Sequence, residues 1–141
     1  MINNTIKTDV AVPPDIAYAF LTECRRWPEW MESVRAVIFE GTFAAGVEVT
    51  VEYTEGVQAK LRIETADPPS GYSYTVDSKD MSIVGTMRLE NIGGSTRLTY
   101  EESVTPRSFV IKMMKPFIAN GIKRALAKDF ASAKSLMEEE R

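Results

Sequence analysis

Histidine is absent from this chain, and cysteine occurs once, as Cys24. The first absence removes imidazole-based triads together with the commonest general base and the commonest metal ligand. The second excludes an intrachain disulfide and fits a reducing, cytoplasmic setting. With no basic partner of the usual kind, the Cys24 thiol reads as a small buried hydrophobe rather than a nucleophile. No run approaches the ~20 apolar residues needed to span a bilayer, and Met1-Ile2-Asn3-Asn4-Thr5 lacks a signal-peptide pattern. Internal repeats, low-complexity tracts and linkers are missing too. What remains is 141 residues, 44% hydrophobic and 26% charged, with net charge −3. That composition suits one globular domain, 1–141, able to bury about two-thirds of its unfolded surface. No cofactor and no metal is expected.

Periodicity supplies the fold class. Ile6, Thr8, Val10 and Val12 share one parity, a first strand that Pro13-Pro14-Asp15 ends while opening a helix. Ile16, Ala17, Phe20 and Leu21 give that helix one apolar face, and Arg25 to Trp30 reads as a second short helix. Six alternating strands follow between Val34 and Val104. Val47, Val49, Val51 and Tyr53 face inward on one, and Val57, Ala59, Leu61 and Ile63 on the next. Tyr72, Tyr74 and Val76 do so after a Pro-Gly break; then come Ile83, Gly85, Met87 and Leu89, and finally Leu98, Tyr100, Glu102 and Val104. Two-residue alternation means one face on a core and one in water, as antiparallel sheets have it. From Pro106 onward the pattern turns helical. Because Pro116 removes a helix hydrogen bond, a break is expected there, with Arg107 to Lys115 a semi-independent segment. The class is α+β.

Strand, then Val12-Pro13-Pro14-Asp15-Ile16-Ala17-Tyr18-Ala19-Phe20-Leu21-Thr22, then Arg26-Trp27-Pro28-Glu29-Trp30-Met31, resembles the opening of the polyketide cyclase/dehydratase and START-like superfamily. Gly85 to Glu90 with Ser95 to Glu101 is similar to that family's last two strands. The resemblance covers nearly the whole chain. It implies the helix-grip fold, a seven-stranded antiparallel sheet wrapped around a long C-terminal helix, with a ligand cavity between them. The superfamily includes lipid and hormone carriers, aromatase/cyclases, oxygenase subunits and chaperone activators, so fold does not settle function. The oxygenase reading needs iron-binding histidines, which this chain lacks.

Candidate site residues come from parity and misplaced polarity. Tyr53, Tyr72, Tyr74 and Tyr100 all point inward, and buried phenols need hydrogen-bond partners that a wet pocket provides. Met87, Phe117 and Gly121 are expected beside them, the glycine because a helix interior disfavours it without a reason. Trp27 and Trp30 read as core. Glu102 shares the inward parity of Tyr100, and Asp129 sits within the apolar stripe of the last helix. A charge there must be paired, solvated in a cavity or protonated. The plain alternatives are a strand end reaching water for Glu102 and an edge ion pair for Asp129. If both face one cavity they are, with Tyr100, the acid–base candidates.

Charge is uneven: Ser103 to Lys128 holds six basic residues and no acidic one. Phe109, Lys112, Met113, Met114 and Lys115 are expected as an adaptable basic entrance to the cavity. A solvated face is the plain alternative; attraction of an anionic ligand and contact with an anionic membrane are the functional ones. Nucleic acid is not an expected partner in an acidic chain without a recognised motif. The expectation is binding of a small, largely hydrophobic ligand, lipid- or polyketide-like. A cyclase- or dehydratase-type enzyme and a protein-interaction module are the rivals, and monomer or homodimer stays open.

Overall fold

The computed structural model describes the backbone of residues 1–141 and every side chain except that of Lys115. The chain begins with β1 (Ile2–Val10), then α1 (Pro14–Thr22) and a 3₁₀ helix over Cys24–Glu29. Six strands follow: β2 (Val34–Ile38), β3 (Glu48–Tyr53), β4 (Gln58–Asp67), β5 (Gly71–Asp77), β6 (Met81–Ile92) and β7 (Ser95–Pro106). Two helices close the chain, α2 (Phe109–Met113) and α3 (Lys115–Glu140). The strands form one open antiparallel sheet in the order β1-β7-β6-β5-β4-β3-β2. This is the helix-grip arrangement that the family resemblance implied, built from the antiparallel strands that the alternation predicted.

Local chemistry explains the junctions. Pro14 opens α1 where no backbone N–H is needed, with Asp15 in the positive first turn. The β6–β7 hairpin turns on Gly93 and Gly94, both with positive φ, and Asn91 Oδ1 accepts the Gly94 N–H at 2.9 Å. Two consecutive positive φ values are what a tight hairpin of native twist requires. Gly71 also has no substitute, because a Cβ there would stand 1.9 Å from the Met87 carbonyl oxygen.

The expected second short helix is present over residues 24–29 and is of the 3₁₀ kind. Two boundaries differ from expectation. Val57 is 61% exposed, since the turn after Tyr53 delays β4 until Gln58. The terminal helix does not begin at Pro106, which still pairs with Met81; Ser108 caps α2 by accepting the Ile111 N–H at 3.2 Å. The break comes at Met114, so that Pro116 falls in the first turn of α3, where its missing N–H costs nothing.

The core lies between the concave face of the sheet and the two long helices. Leu21, Trp27, Val49, Ile63, Met87 and Leu98 are buried there. Trp27 spends its indole N–H on the Leu21 carbonyl at 2.9 Å. α3 buries Phe130, Ala133 and Met137 in this core, with Leu126 and Leu136 packed partly buried against it, while the helix before Leu126 is mostly exposed.

Candidate functional site

A cavity of about 180 Å³ lies between β3–β7 and the middle of α3. Val51, Leu61 and Val76 supply its apolar sheet wall, Trp27 and Trp30 one end, and Ile122, Leu126 and Phe130 the helix wall. Phe130 sits between Trp30 and Tyr100, with ring centroids 5.5 and 5.0 Å away. Of the expected residues, Tyr53, Tyr72, Tyr74, Tyr100, Glu102 and Asp129 are brought together on its walls.

Three of these form a polar cluster built by sheet register. Tyr74 on β5 lies opposite Gly85 on β6, which in turn lies opposite Glu102 on β7. A Cβ on Gly85 would stand 2.3 Å from the Tyr74 ring, so its absence lets that ring cross β6 and reach β7. There the Tyr74 and Tyr100 hydroxyls hydrogen-bond to each other. Tyr100 donates to Glu102 Oε2 at 2.7 Å, and Tyr74 Oη lies 3.4 Å from the same oxygen. Burial raises the Glu102 pKa, while donation from Tyr100 and Tyr74 pulls it partly back. Burial also pushes the Tyr74 and Tyr100 phenols up, and the Glu102 charge adds to this. Near neutrality the phenols therefore stay protonated, and the carboxyl is the easiest group of the cluster to ionise.

Asp129 occupies the rim. Its Oδ1 accepts the Glu32 N–H at 3.2 Å, while neighbouring Lys128 pairs with the Glu32 carboxylate at 2.8 Å. Burial raises the Asp129 pKa; the Glu32 amide opposes it. The two carboxyls are the cavity's only charged lining groups, and no lysine or arginine lines it among the described residues. The indole N–H of Trp30, also on the wall, is buried without a hydrogen-bond partner among the described residues.

Several expectations are corrected. Met87 faces inward as parity predicts, but it is packed at 1% exposure in the dry core and does not line the cavity. Phe117 is 78% exposed, and a Cβ on Gly121 would meet nothing within 4 Å. At about 100° per residue they share a line with Arg124 and Lys128, a third of a turn from the cavity line of Ile122, Ala125 and Asp129. Phe109, Lys112, Met113 and Met114 are exposed and are not on the cavity wall, so the described part of the expected entrance lies elsewhere. The Lys115 side chain, also assigned to it, lies outside the described residues. Gly85 and Phe130 were not singled out. An inward glycine beside an inward tyrosine was the signal for the first, and adjacency to Asp129 on the helix stripe for the second.

With this geometry in place, the chain can be set beside known proteins. The family model described as polyketide cyclase / dehydrase and lipid transport matches residues 1–138. No curated protein matches in sequence. Among solved structures, a START superfamily protein from Mycobacterium smegmatis shares 12% identity, with all of both chains covered and a TM-score of 0.77. Protein MLL2253 from Mesorhizobium loti shares 18% over 99% of this chain and 98% of its own, at TM-score 0.80. The di-domain ARO/CYC StfQ from the steffimycin biosynthetic pathway shares 15%, over 99% of this chain and 51% of its own, at 0.81. At such identities these likenesses establish the fold alone.

Proposed function

The chain belongs to the polyketide cyclase / dehydrase and lipid transport family, and from that premise we propose that it binds a small, ring-sized, mainly apolar and uncharged molecule in the cavity beneath α3. The observation that carries this reading is the Tyr74–Tyr100–Glu102 cluster set into otherwise apolar walls. Such a wall buries the ligand's body while one convergent polar group fixes its orientation. Volume limits size: a dry cavity of roughly 150 Å³ holds one benzene ring, so 180 Å³ holds a ring or two and a longer molecule must project through the mouth. Charge limits chemistry. Two carboxyls and no lining cation among the described residues favour a hydrogen-bond-donating ligand and disfavour a carboxylate, against the anionic ligand the basic segment suggested.

Calorimetric titration with 2-naphthol and 2-naphthoate tests this directly. The neutral phenol should bind saturably at neutral pH and the carboxylate at least about tenfold more weakly, a difference of about 1.4 kcal/mol. Gly85→Ala, which displaces the Tyr74 ring, should weaken naphthol binding. Equal affinity for both probes would sink the uncharged-ligand reading.

Acid–base chemistry on the bound molecule is the second reading, favoured by one observation: a partly buried carboxyl with a raised pKa that accepts a hydrogen bond from a phenol. The measurement is deuterium incorporation at the carbons flanking the carbonyl of 2-tetralone, followed by NMR. Catalysed exchange abolished by Glu102→Gln supports it, whereas exchange at the buffer rate leaves a binding protein.

A further inference from the structure

The cavity uses one side of α3, and a face about a third of a turn away, together with α2, carries a surface of different character. Phe109, Val110, Met113 and Phe117 are between 63% and 78% exposed, within nine consecutive residues. Protruding apolar side chains grouped this closely mark an interaction site. The basic residues around them, Lys112, Lys123 and Arg124, are exposed and form no ion pair among the described residues. From Ser103 to Lys128 no acidic residue interrupts the segment, although the chain as a whole carries −3.

That combination selects its partner. A second copy docking through the same face would set like charges against each other, as a two-fold interface demands. A nucleic acid would answer the cations and leave the phenylalanines and methionines in water. An anionic bilayer answers both, with apolar side chains entering the headgroup–acyl boundary and cations lying on acidic headgroups. We propose that α2 and the first turns of α3 dock peripherally on anionic lipid bilayers, through Phe109, Val110, Met113 and Phe117 with Lys112, Lys123 and Arg124. The contact is interfacial, for no described helix is long and apolar enough to cross a membrane. Ile122 and Ala125, on the cavity wall, follow Phe117 within about two turns, so docking sets the cavity beside the bilayer. The proposal stands whether or not the cavity holds a ligand.

Co-sedimentation of the full chain with vesicles tests it. The protein should pellet with phosphatidylcholine vesicles containing one-third phosphatidylglycerol and stay in the supernatant with phosphatidylcholine alone. Reversing three cations in Lys112→Glu/Lys123→Glu/Arg124→Glu should lower partitioning by more than about 100-fold, since each basic residue near the surface contributes about a factor of five. Phe109→Ser/Phe117→Ser should lower it about tenfold or more. Both variants should melt like the parent, because the altered side chains are exposed. In Phe117→Trp the new emission should shift to the blue on vesicles and be quenched by brominated acyl chains. No pelleting with anionic vesicles, equal pelleting with neutral ones, or an unaffected Phe109→Ser/Phe117→Ser variant would each overturn the proposal. So would a concentration-dependent dimer lost in that variant.

Discussion

Along α3, Phe130, Ala133 and Met137 are buried at 5% exposure or less, whereas Phe117 on the same helix is 78% exposed. The buried half is also tied down at its end. Arg26 binds Glu140 at 2.6 Å, Glu138 accepts the Ala11 N–H at 2.9 Å, and Lys134 donates to the Asp9 carbonyl at 2.8 Å. Going back along the helix, the polar ties to the body end, among the described residues, with Lys128 and Asp129 on Glu32. Individual surface ties of this kind contribute at most about 1 kcal/mol each, so the packing of Phe130, Ala133 and Met137 makes the difference. The comparison teaches how a cavity survives in a small protein: one half of the helix holds the fold, which leaves the other half free to stand off the sheet.

The largest expected effect tests that division. Phe130→Ala removes a ring seated between Trp30 and Tyr100 and should cost about 3–5 kcal/mol in urea unfolding. Phe117→Ala, the same chemical change, should stay within about 0.5 kcal/mol. A comparable cost for both would mean that the exposed half is packed in solution and the two halves are not distinct.

The asymmetry marks where the sequence stops being readable. Strand alternation names a face, and it placed Tyr53, Tyr72, Tyr74, Tyr100 and Glu102 on the inner side without knowledge of register. It does not say which layer covers that face. Met87 shares the parity of Gly85, yet β6 also runs beneath α1, where the space is filled. Polarity out of place was the stronger signal, for Glu102 and Asp129 broke apolar stripes and both reach the cavity. On α3 the sequence shows two candidate stripes, one through Phe117 and Gly121 and one through Ile122 and Asp129. Which of them meets the sheet depends on how the helix is rolled by contacts in its other half. Nothing local to residues 115–125 encodes that roll. The Gly85–Tyr74 crossing was hidden for a similar reason, since it requires the pairing of β5 with β6 to be known.

A smaller effect sharpens the comparison through pH. Glu102 belongs to the fixed sheet wall, and Asp129 to the boundary between the helix halves. Both have pKa values raised by burial above their unfolded values. A raised carboxyl holds its proton in the folded state after the unfolded chain has lost it. The stability these two groups contribute is therefore greatest below the ordinary carboxylate range and falls as pH rises through the raised values. Glu102→Gln should flatten that fall, by about 1.4 kcal/mol for each unit separating folded from unfolded pKa. Asp129→Asn should flatten it less, because Asp129 lies nearer to solvent than Glu102 and burial is what raises both. Urea midpoints measured from pH 4 to pH 8 (about four units, wide enough to span such shifts) compare the two. A Glu102→Gln profile that falls as steeply as the parent's over that window would contradict the buried-carboxyl account.

The smallest expected change asks whether the two halves unfold together. Gly121 lies in the exposed half, and a Cβ there would touch nothing within 4 Å. A glycine within a helix costs about 1 kcal/mol relative to alanine, so Gly121→Ala should stabilise the helix by up to that amount without filling the cavity. Where the gain is registered is the informative part. If α3 unfolds as one cooperative unit, the whole gain enters the global urea midpoint. If the half before Lys128 opens on its own, the gain appears as slower amide exchange over residues 117–125, and the global midpoint barely moves. Ala133→Gly is the counterpart in the buried half, where a fully enclosed methyl group is lost; its cost should enter the global midpoint in either case. The division between halves predicts the local outcome for Gly121→Ala, because the side chains of α3 that pack against the core begin at Leu126, beyond Gly121. A full global gain would show instead that the stand-off over the cavity is as cooperatively fixed as the core beneath it.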